Sequence, residues 1–343
     1  MLQQQFNAVP EFEGSPLYTA LARAVAEDDS LLRLAARCRR GQHPTFLFFA
    51  AIHYLLLGGA KGELAAFYPS VVGESVRPPE DAGPALRSFC RDHGDEIGEL
   101  LETRLVQTNA VPRSLALRLG FVAIGRRITG PVHLIEVGAS AGIHLRFDRF
   151  GYALGDRRFG NLRSPVQIEA ACVGQQPTPD LDAVPPLATT SGIDLHPLAA
   201  TSPDDRRWLE ALVWPDNRRE ADLLQRALGV VASDPPPIRA GDVVDVAPLL
   251  AAELPPDEPR VVFQVATRMH VPVERQDAFD AAIALLGNNA PLYRLTLERP
   301  LEHDPRPQPA RAGNPIYLRE PDGTDVLLAI AGARLDWIEP VRL

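Results

Sequence analysis

Three carboxylates, a serine set among glycines and a small polar cluster are the residues whose types and spacing could do chemistry. Glu136-Val-Gly138-Ala139-Ser140-Ala-Gly142 closes the apolar run 132–137, so an acid stands at a strand end and a turn of small residues begins where the strand stops. Such a turn lets backbone approach a ligand closely, and open α/β sheets bind ligands at the carboxyl ends of their strands. Glu136 could accept from an ammonium or from the turn's own N–H groups. A second acid ends Ser191-Gly-Ile-Asp194, where a carboxylate can accept from both hydroxyls of a ribose. The usual separation from the first motif is about 20 residues. Asp194 lies much further on, across a segment 151–190 that reads as an insertion, so Glu169 in Val166-Gln-Ile-Glu169 competes for the role. The third acid ends Pro237-Ile-Arg-Ala-Gly241-Asp242 and reads equally as a ligand-binding group or as a helix N-cap.

Two further groups could face a substrate. Gln107, Thr108, Asn109 and Arg113 flank Pro112 just ahead of the sheet, where they either cap helices or reach into a cleft. Arg268, Met269 and His270 follow the run Val261-Val-Phe-Gln-Val. His270 could take a proton from an acceptor or serve as an ordinary structural residue.

The elements that must hold these residues have a clear order. From Ser15 to Arg127 apolar residues recur at helical spacing, opened by Ser15-Pro16, a capping residue before a proline at the first helical position. About six helices are expected there. After residue 131 short apolar runs at 132–137, 191–195, 237–241, 260–265 and 292–297 alternate with helical patterns, which predicts a parallel sheet with crossover helices. Helical spacing resumes at Ile143, right after the first turn. Asp204 to Val231 is the longest helical pattern, broken at Pro215, with Trp208 and Trp214 expected on one buried face. One strand is expected at 166–173, and two strands around an Asp322-Gly323 turn close the chain. The Pro-rich tracts at 234–237 and 304–309 read as loops.

Composition narrows the class. The 343 residues carry a net charge of −9 and are 45% hydrophobic, enough for a sizeable core and poorly suited to nucleic acid. Cys38, Cys90 and Cys172 lie far apart without a metal-ligand spacing, so they read as small buried thiols. The first twelve residues do not read as a secretory signal, and the longest apolar run, Phe46 to Leu57, is too short for a membrane span. A cytoplasmic protein is expected, with no nucleic-acid or membrane partner; the oligomeric state is not legible.

The Glu136–Gly142 motif resembles the first motif of class I S-adenosylmethionine-dependent methyltransferases, with Ser140 in place of one glycine. Nearly the whole chain resembles the DUF2332 family of bacterial proteins, through that motif, Gly192-Ile-Asp-Leu-His-Pro197, Asp204-Asp-Arg-Arg-Trp208-Leu-Glu-Ala-Leu-Val-Trp214-Pro215, and Gln107-Thr-Asn109 with Arg113. The resemblance implies an α/β fold, a Rossmann-like class I methyltransferase sheet (129–343, with the insertion at about 151–190) preceded by an all-helical N-terminal domain (1–128). It implies S-adenosylmethionine as cofactor, held by Glu136, Gly138, Ala139, Ser140, Gly142, Asp194 and Asp242. The methyl acceptor, a small molecule or another group of unknown identity, would meet Asn109, Arg113 and His270. Gly138-x-Ser140-x-Gly142 also matches the nucleophile elbow of α/β-hydrolases, with His303 as base and an acid such as Asp194. A nicotinamide enzyme and a catalytically inactive binding or scaffold protein complete the alternatives.

Overall fold

A computed structural model describes residues 2–343 except 8, 10, 11, 13, 178, 179, 299–305, 307 and 310. The chain starts helical: α1 (Leu2–Asn7), α2 (Pro16–Ala26), α3 (Asp29–Ala35), α4 (Pro44–Leu57), α5 (Pro69–Val72), α6 (Ala82–Asp92), α7 (Gly94–Thr103) and α8 (Arg113–Gly125). Ser15 caps α2 as its sequence implies, accepting from the Tyr18 N–H. Seven helices rather than six therefore fill 15–127, because the short α5 begins at Pro69 inside a stretch too brief to show a period. The longest apolar run lies in α4, whose 14 residues span about 21 Å at 1.5 Å per residue. Among the described residues no helix is long and apolar enough to cross a membrane.

Then come β1 (Val132–Val137), β2 (Gly151–Leu154), β3 (Arg157–Gly160), β4 (Gln167–Cys172), β5 (Leu187–Asp194), α9 (Pro203–Ala211), α10 (Arg218–Ser233), β6 (Ile238–Ala240), α11 (Val243–Glu253), β7 (Arg260–Val265), α12 (Gln276–Leu285), β8 (Leu292–Leu297), β9 (Asn314–Arg319), β10 (Asp325–Ala331) and β11 (Trp337–Pro340). The helical pattern 204–231 is broken around Pro215, so Trp208 lies in α9 and Trp214 in the turn after it, not on one shared helix.

All strands join one mixed sheet in the order β3-β2-β4-β11-β10-β9-β8-β7-β1-β5-β6. β6, β5, β1, β7 and β8 are parallel, and β9 and β10 continue the sheet antiparallel. Within the parallel set, position across the sheet runs third, second, first, fourth, fifth in chain order. The order reverses at β1, the kind of switch point where open α/β sheets bind ligands. On one face, Ile135, Val137, Ile193 and Val262 pack against Val246 and Leu250 of α11 and Phe279 and Ile283 of α12. These apolar side chains make the parallel strands' core.

The first crossover differs from the expected pattern. No α-helix follows β1. A 3-10 turn, His144–Arg149, leads instead into the β2–β3 hairpin and β4, which extend the far edge of the sheet beside β11. Arg146 explains the interruption: it leaves helical geometry (φ −118°, ψ 21°), and its buried guanidinium donates to Asp234 O at 2.8 Å and Thr190 Oγ1 at 2.9 Å. The predicted insertion thus adds strands to the same sheet.

The chain forms two compact units, residues 1–108 with 202–225, and 109–201 with 226–343. The division differs from a boundary at 128 in two ways. The helix α8 belongs with the sheet, and α9 belongs with the helices because Trp208 is fully buried there, its indole N–H donating to Leu105 O at 3.0 Å. Of the thiols only Cys90 is buried; Cys38 and Cys172 are partly exposed.

Candidate functional site

The turn after β1 alternates handedness. Gly138 (φ +83°), Ser140 (φ +50°) and Gly142 (φ +74°) all adopt left-handed backbone. A side chain on Gly138 would strike Thr267, and one on Gly142 would strike Pro236. Ser140 accepts a conformation that costs an L-residue about 1–2 kcal/mol, so its surroundings must enforce it. They do so through hydrogen bonds. Gly138 N–H donates to Ile193 O at 2.8 Å and Gly142 N–H to Ala139 O at 2.7 Å. Ser140 N–H donates to Asp194 Oδ2 at 2.8 Å, and Ser140 O accepts from Leu198 N–H. Asn109 Nδ2 donates to Ala139 O at 3.1 Å, and Thr267 Oγ1 to Val137 O at 3.1 Å. The N–H groups of Gly138, Ser140 and Gly142 are therefore consumed inside the protein. A phosphate cradle needs such groups pointing at the ligand.

Two of the acids are bound to backbone N–H groups. Asp194 holds Ser140 through Oδ2 and accepts from His196 N–H at 2.8 Å through Oδ1. Asp242 caps α11, accepting from Val244 N–H at 2.9 Å, and its other oxygen lies 2.9 Å from Arg275. The N-cap reading of Asp242 is thus realised. Asp242→Ala should lower stability in urea denaturation by about 1 kcal/mol, the usual value of a cap, the half-exposed ion pair adding little. Glu169 points to solvent from β4, separated from β1 in the sheet by β11, β10, β9, β8 and β7.

Glu136 is different. Its side chain is buried, Oε1 lies 2.6 Å from His144 Nδ1, and Oε2 has no hydrogen-bond partner. Burial pushes its carboxyl above the ordinary range, opposed by the adjacent His144, while Asp194 adds to the rise and Arg113 opposes it. Asn109 Oδ1 and Ser140 Oγ are likewise buried without partners. An unmade hydrogen bond in a buried site is costly, and here three such oxygens belong to the turn, to the acid before it or to the amide bonded to it.

The other expected site residues separate. Asn109 supports the turn through Ala139. Arg113 opens α8, with its charge felt at Glu136. His270 is exposed in a 3-10 turn, Arg268–His270, after β7. For the hydrolase alternative, Ser140 Oγ has no partner, while both His144 nitrogens are engaged, by Glu136 and by Ala110 O; His303 lies outside the described residues. The α-helix that follows a nucleophile elbow is replaced by the 3-10 turn.

Three contributors escaped the sequence reading. Thr267 and Glu298 shape the turn after β7: Glu298 Oε1 accepts from Thr267 N–H at 3.2 Å and Arg268 N–H at 3.0 Å. The signal was present, since Glu298 directly follows the apolar run 292–297, the same strand-end acid pattern as Glu136. His144 is the third. Its only signature was a polar residue in an apolar turn.

The chain belongs to the DUF2332 family. Its model, described as an uncharacterized protein conserved in bacteria, matches residues 3–339. No curated protein matches. Among solved structures, the DUF2332 chain is similar to the "Medium resolution structure of the bifunctional kinase- methyltransferase WbdD", with 12% identity and a TM-score of 0.27 over 55% of this chain and 29% of that one. It therefore spans less than a third of that structure's length.

Proposed function

We propose that this protein binds S-adenosylmethionine over the carboxyl edge of β1 and β5 and is a methyltransferase. The observation that carries the reading is the set of buried oxygens without partners, Glu136 Oε2, Asn109 Oδ1 and Ser140 Oγ. The first two can only accept when Glu136 is ionised, so a ligand that satisfies them must bring hydrogen-bond donors, N–H or O–H. The methionyl ammonium of S-adenosylmethionine is a compact cation with three. A dinucleotide brings a pyrophosphate, which needs the turn N–H groups that Ile193, Asp194 and Ala139 already occupy. The doubly wound strand order with its reversal at β1 supports the same reading. Glu136 would hold the ammonium end, Asn109 and Ser140 would complete its donors' partners, and Gly138 and Gly142 would leave room for the ligand to lie against backbone.

When bound, S-adenosylmethionine supplies a methyl group on a sulfonium. The residues Arg113 and His270 are proposed to face the acceptor. In this reading Asp194 acts on the ligand through Ser140, and Asp242 through the N-terminus of α11, since both carboxylates are engaged by protein donors.

Calorimetry and thermal shift with S-adenosylhomocysteine, S-adenosylmethionine and NAD test this. The two sulfur ligands should stabilise the protein, by about 2.7 kcal/mol at 100 times the dissociation constant, and NAD should not. Glu136→Gln should weaken S-adenosylhomocysteine by about 1.5–3 kcal/mol, the worth of a hydrogen bond to a charged group. A folded wild-type protein with neither heat nor shift would end the assignment.

A further inference from the structure

We infer that His144 is the positioning residue for Glu136, holding one proton in common with it so that the carboxyl can become a carboxylate acceptor without exchanging a proton with solvent. The inference rests on the ammonium-binding reading above and names the residue that makes it work.

The geometry fixes where the protons are. His144 Nε2 lies 3.1 Å from Ala110 O. A carbonyl only accepts, so Nε2 carries a hydrogen. The 2.6 Å link between His144 Nδ1 and Glu136 Oε1 then needs one further proton between them. Without it a nitrogen lone pair would face a carboxylate; with it the pair is either neutral imidazole beside a carboxylic acid or imidazolium beside a carboxylate. Both side chains are almost fully buried, which favours the uncharged form when no ligand is present. The Phe263 ring from β7 packs at 89° to the His144 ring, with centroids 5.7 Å apart, and brings no charge. The charges that act on Glu136 come from His144, from Asp194 at the end of β5 and from Arg113 at the start of α8.

An ammonium arriving at Oε2 favours the ionised carboxylate. The Oε1–H bond then breaks, an Nδ1–H bond forms, Glu136 becomes an anion and His144 a cation. The proton travels one hydrogen bond, and the pair's total charge is unchanged. His144 also keeps Glu136 in one rotamer, leaving Oε2 as the oxygen without a protein partner.

The test is proton counting. Wild-type binding of S-adenosylhomocysteine, measured by calorimetry at pH 6 in buffers of different ionisation enthalpy, should release close to no protons, and its affinity should be flat between pH 6 and 8. His144→Gln can still hydrogen-bond Glu136 but cannot take its proton, so it should release up to one proton and lose affinity by roughly tenfold per pH unit on the acid side. A weaker variant with an unchanged proton count and a flat pH profile would reduce His144 to a packing role and overturn the inference. A ligand-free arm stands apart from cofactor identity: ¹⁵N NMR of the wild-type imidazole should show Nε2 protonated throughout, and Glu136→Gln should change the Nδ1 resonance. A bare Nε2 would overturn the shared proton. Absence of S-adenosylhomocysteine binding, with the NMR result as expected, would sink the functional reading and the ligand-linked step while leaving the shared proton established.

Discussion

Replacing Asp194 with alanine should cost the sheet-bearing unit about 3 kcal/mol or more and, on the proposed function, abolish stabilisation by S-adenosylhomocysteine. The carboxylate accepts two backbone N–H groups, of Ser140 and His196, at 2.8 Å each, and hydrogen bonds to a charged acceptor contribute about 1.5–3 kcal/mol apiece. The larger part of the loss lies at Ser140. Its left-handed backbone is held by that single side-chain acceptor together with the Leu198 contact on the other side of the residue. Without Asp194 an N–H is buried unsatisfied in a conformation that an L-residue resists. Asp194→Asn is the sharper control, since its Oδ1 can still accept from one N–H while its NH₂ can take no donor. It should fall between wild type and alanine. Urea denaturation measures the stability and calorimetry the ligand; an alanine variant within 0.5 kcal/mol of wild type would show that the turn does not depend on this carboxylate.

That dependence marks the boundary of what the sequence could disclose. β1, β7 and β8 occupy 132–137, 260–265 and 292–297, the same residues as the apolar runs, because buried strands carry a predominantly apolar signature, which His133, Glu136, Arg260, Gln264, Arg294 and Thr296 interrupt without hiding. β9 and β10 flank the Asp322-Gly323 turn for the same kind of local reason: Gly323, at φ +88°, supplies the handedness the turn needs. The hairpin β2–β3 and the strand β11 leave no such pattern, since four-residue strands are too short to show alternation. The helix expected after Ile143 failed on a tertiary contact. Nothing in the spacing of Ile143, Leu145 and Phe147 announces that Arg146 will bond to Asp234 and Thr190, residues far along the chain. The acids divide likewise. Their places at strand ends were legible from local pattern, whereas their duties were not: Asp194 and Asp242 are bound to backbone N–H groups, and Glu136 to a histidine that sequence spacing treats as part of a helix. α9 carried an ordinary amphipathic pattern, so its membership of the helical unit through Trp208 and Leu105 was invisible.

The helical unit should be acid-sensitive through one residue. His53 is fully buried, with Nδ1 3.0 Å from Ala211 O and Nε2 2.7 Å from Ser70 Oγ. The carbonyl can only accept, so Nδ1 carries the hydrogen and Nε2 takes the serine hydroxyl's. A proton on Nε2 would put a charge in an apolar interior. Burial accordingly pushes the imidazole down to about 4 from 6.5, against the smaller opposing effect of its backbone acceptors. Because the folded value is depressed, the unfolded chain binds the extra proton first. Stability is whole above pH 6.5, falls as the pH drops from there, and reaches its full loss below pH 4. The shift corresponds to about 3 kcal/mol at 1.36 kcal/mol per unit. Other groups titrate in the same range, so the comparison must be between proteins: His53→Gln cannot ionise, and the stability difference between it and wild type should shrink by about 3 kcal/mol between pH 7.5 and pH 4. Parallel pH profiles would mean that His53 already binds its proton in the folded protein, with Ser70 turned to accept it.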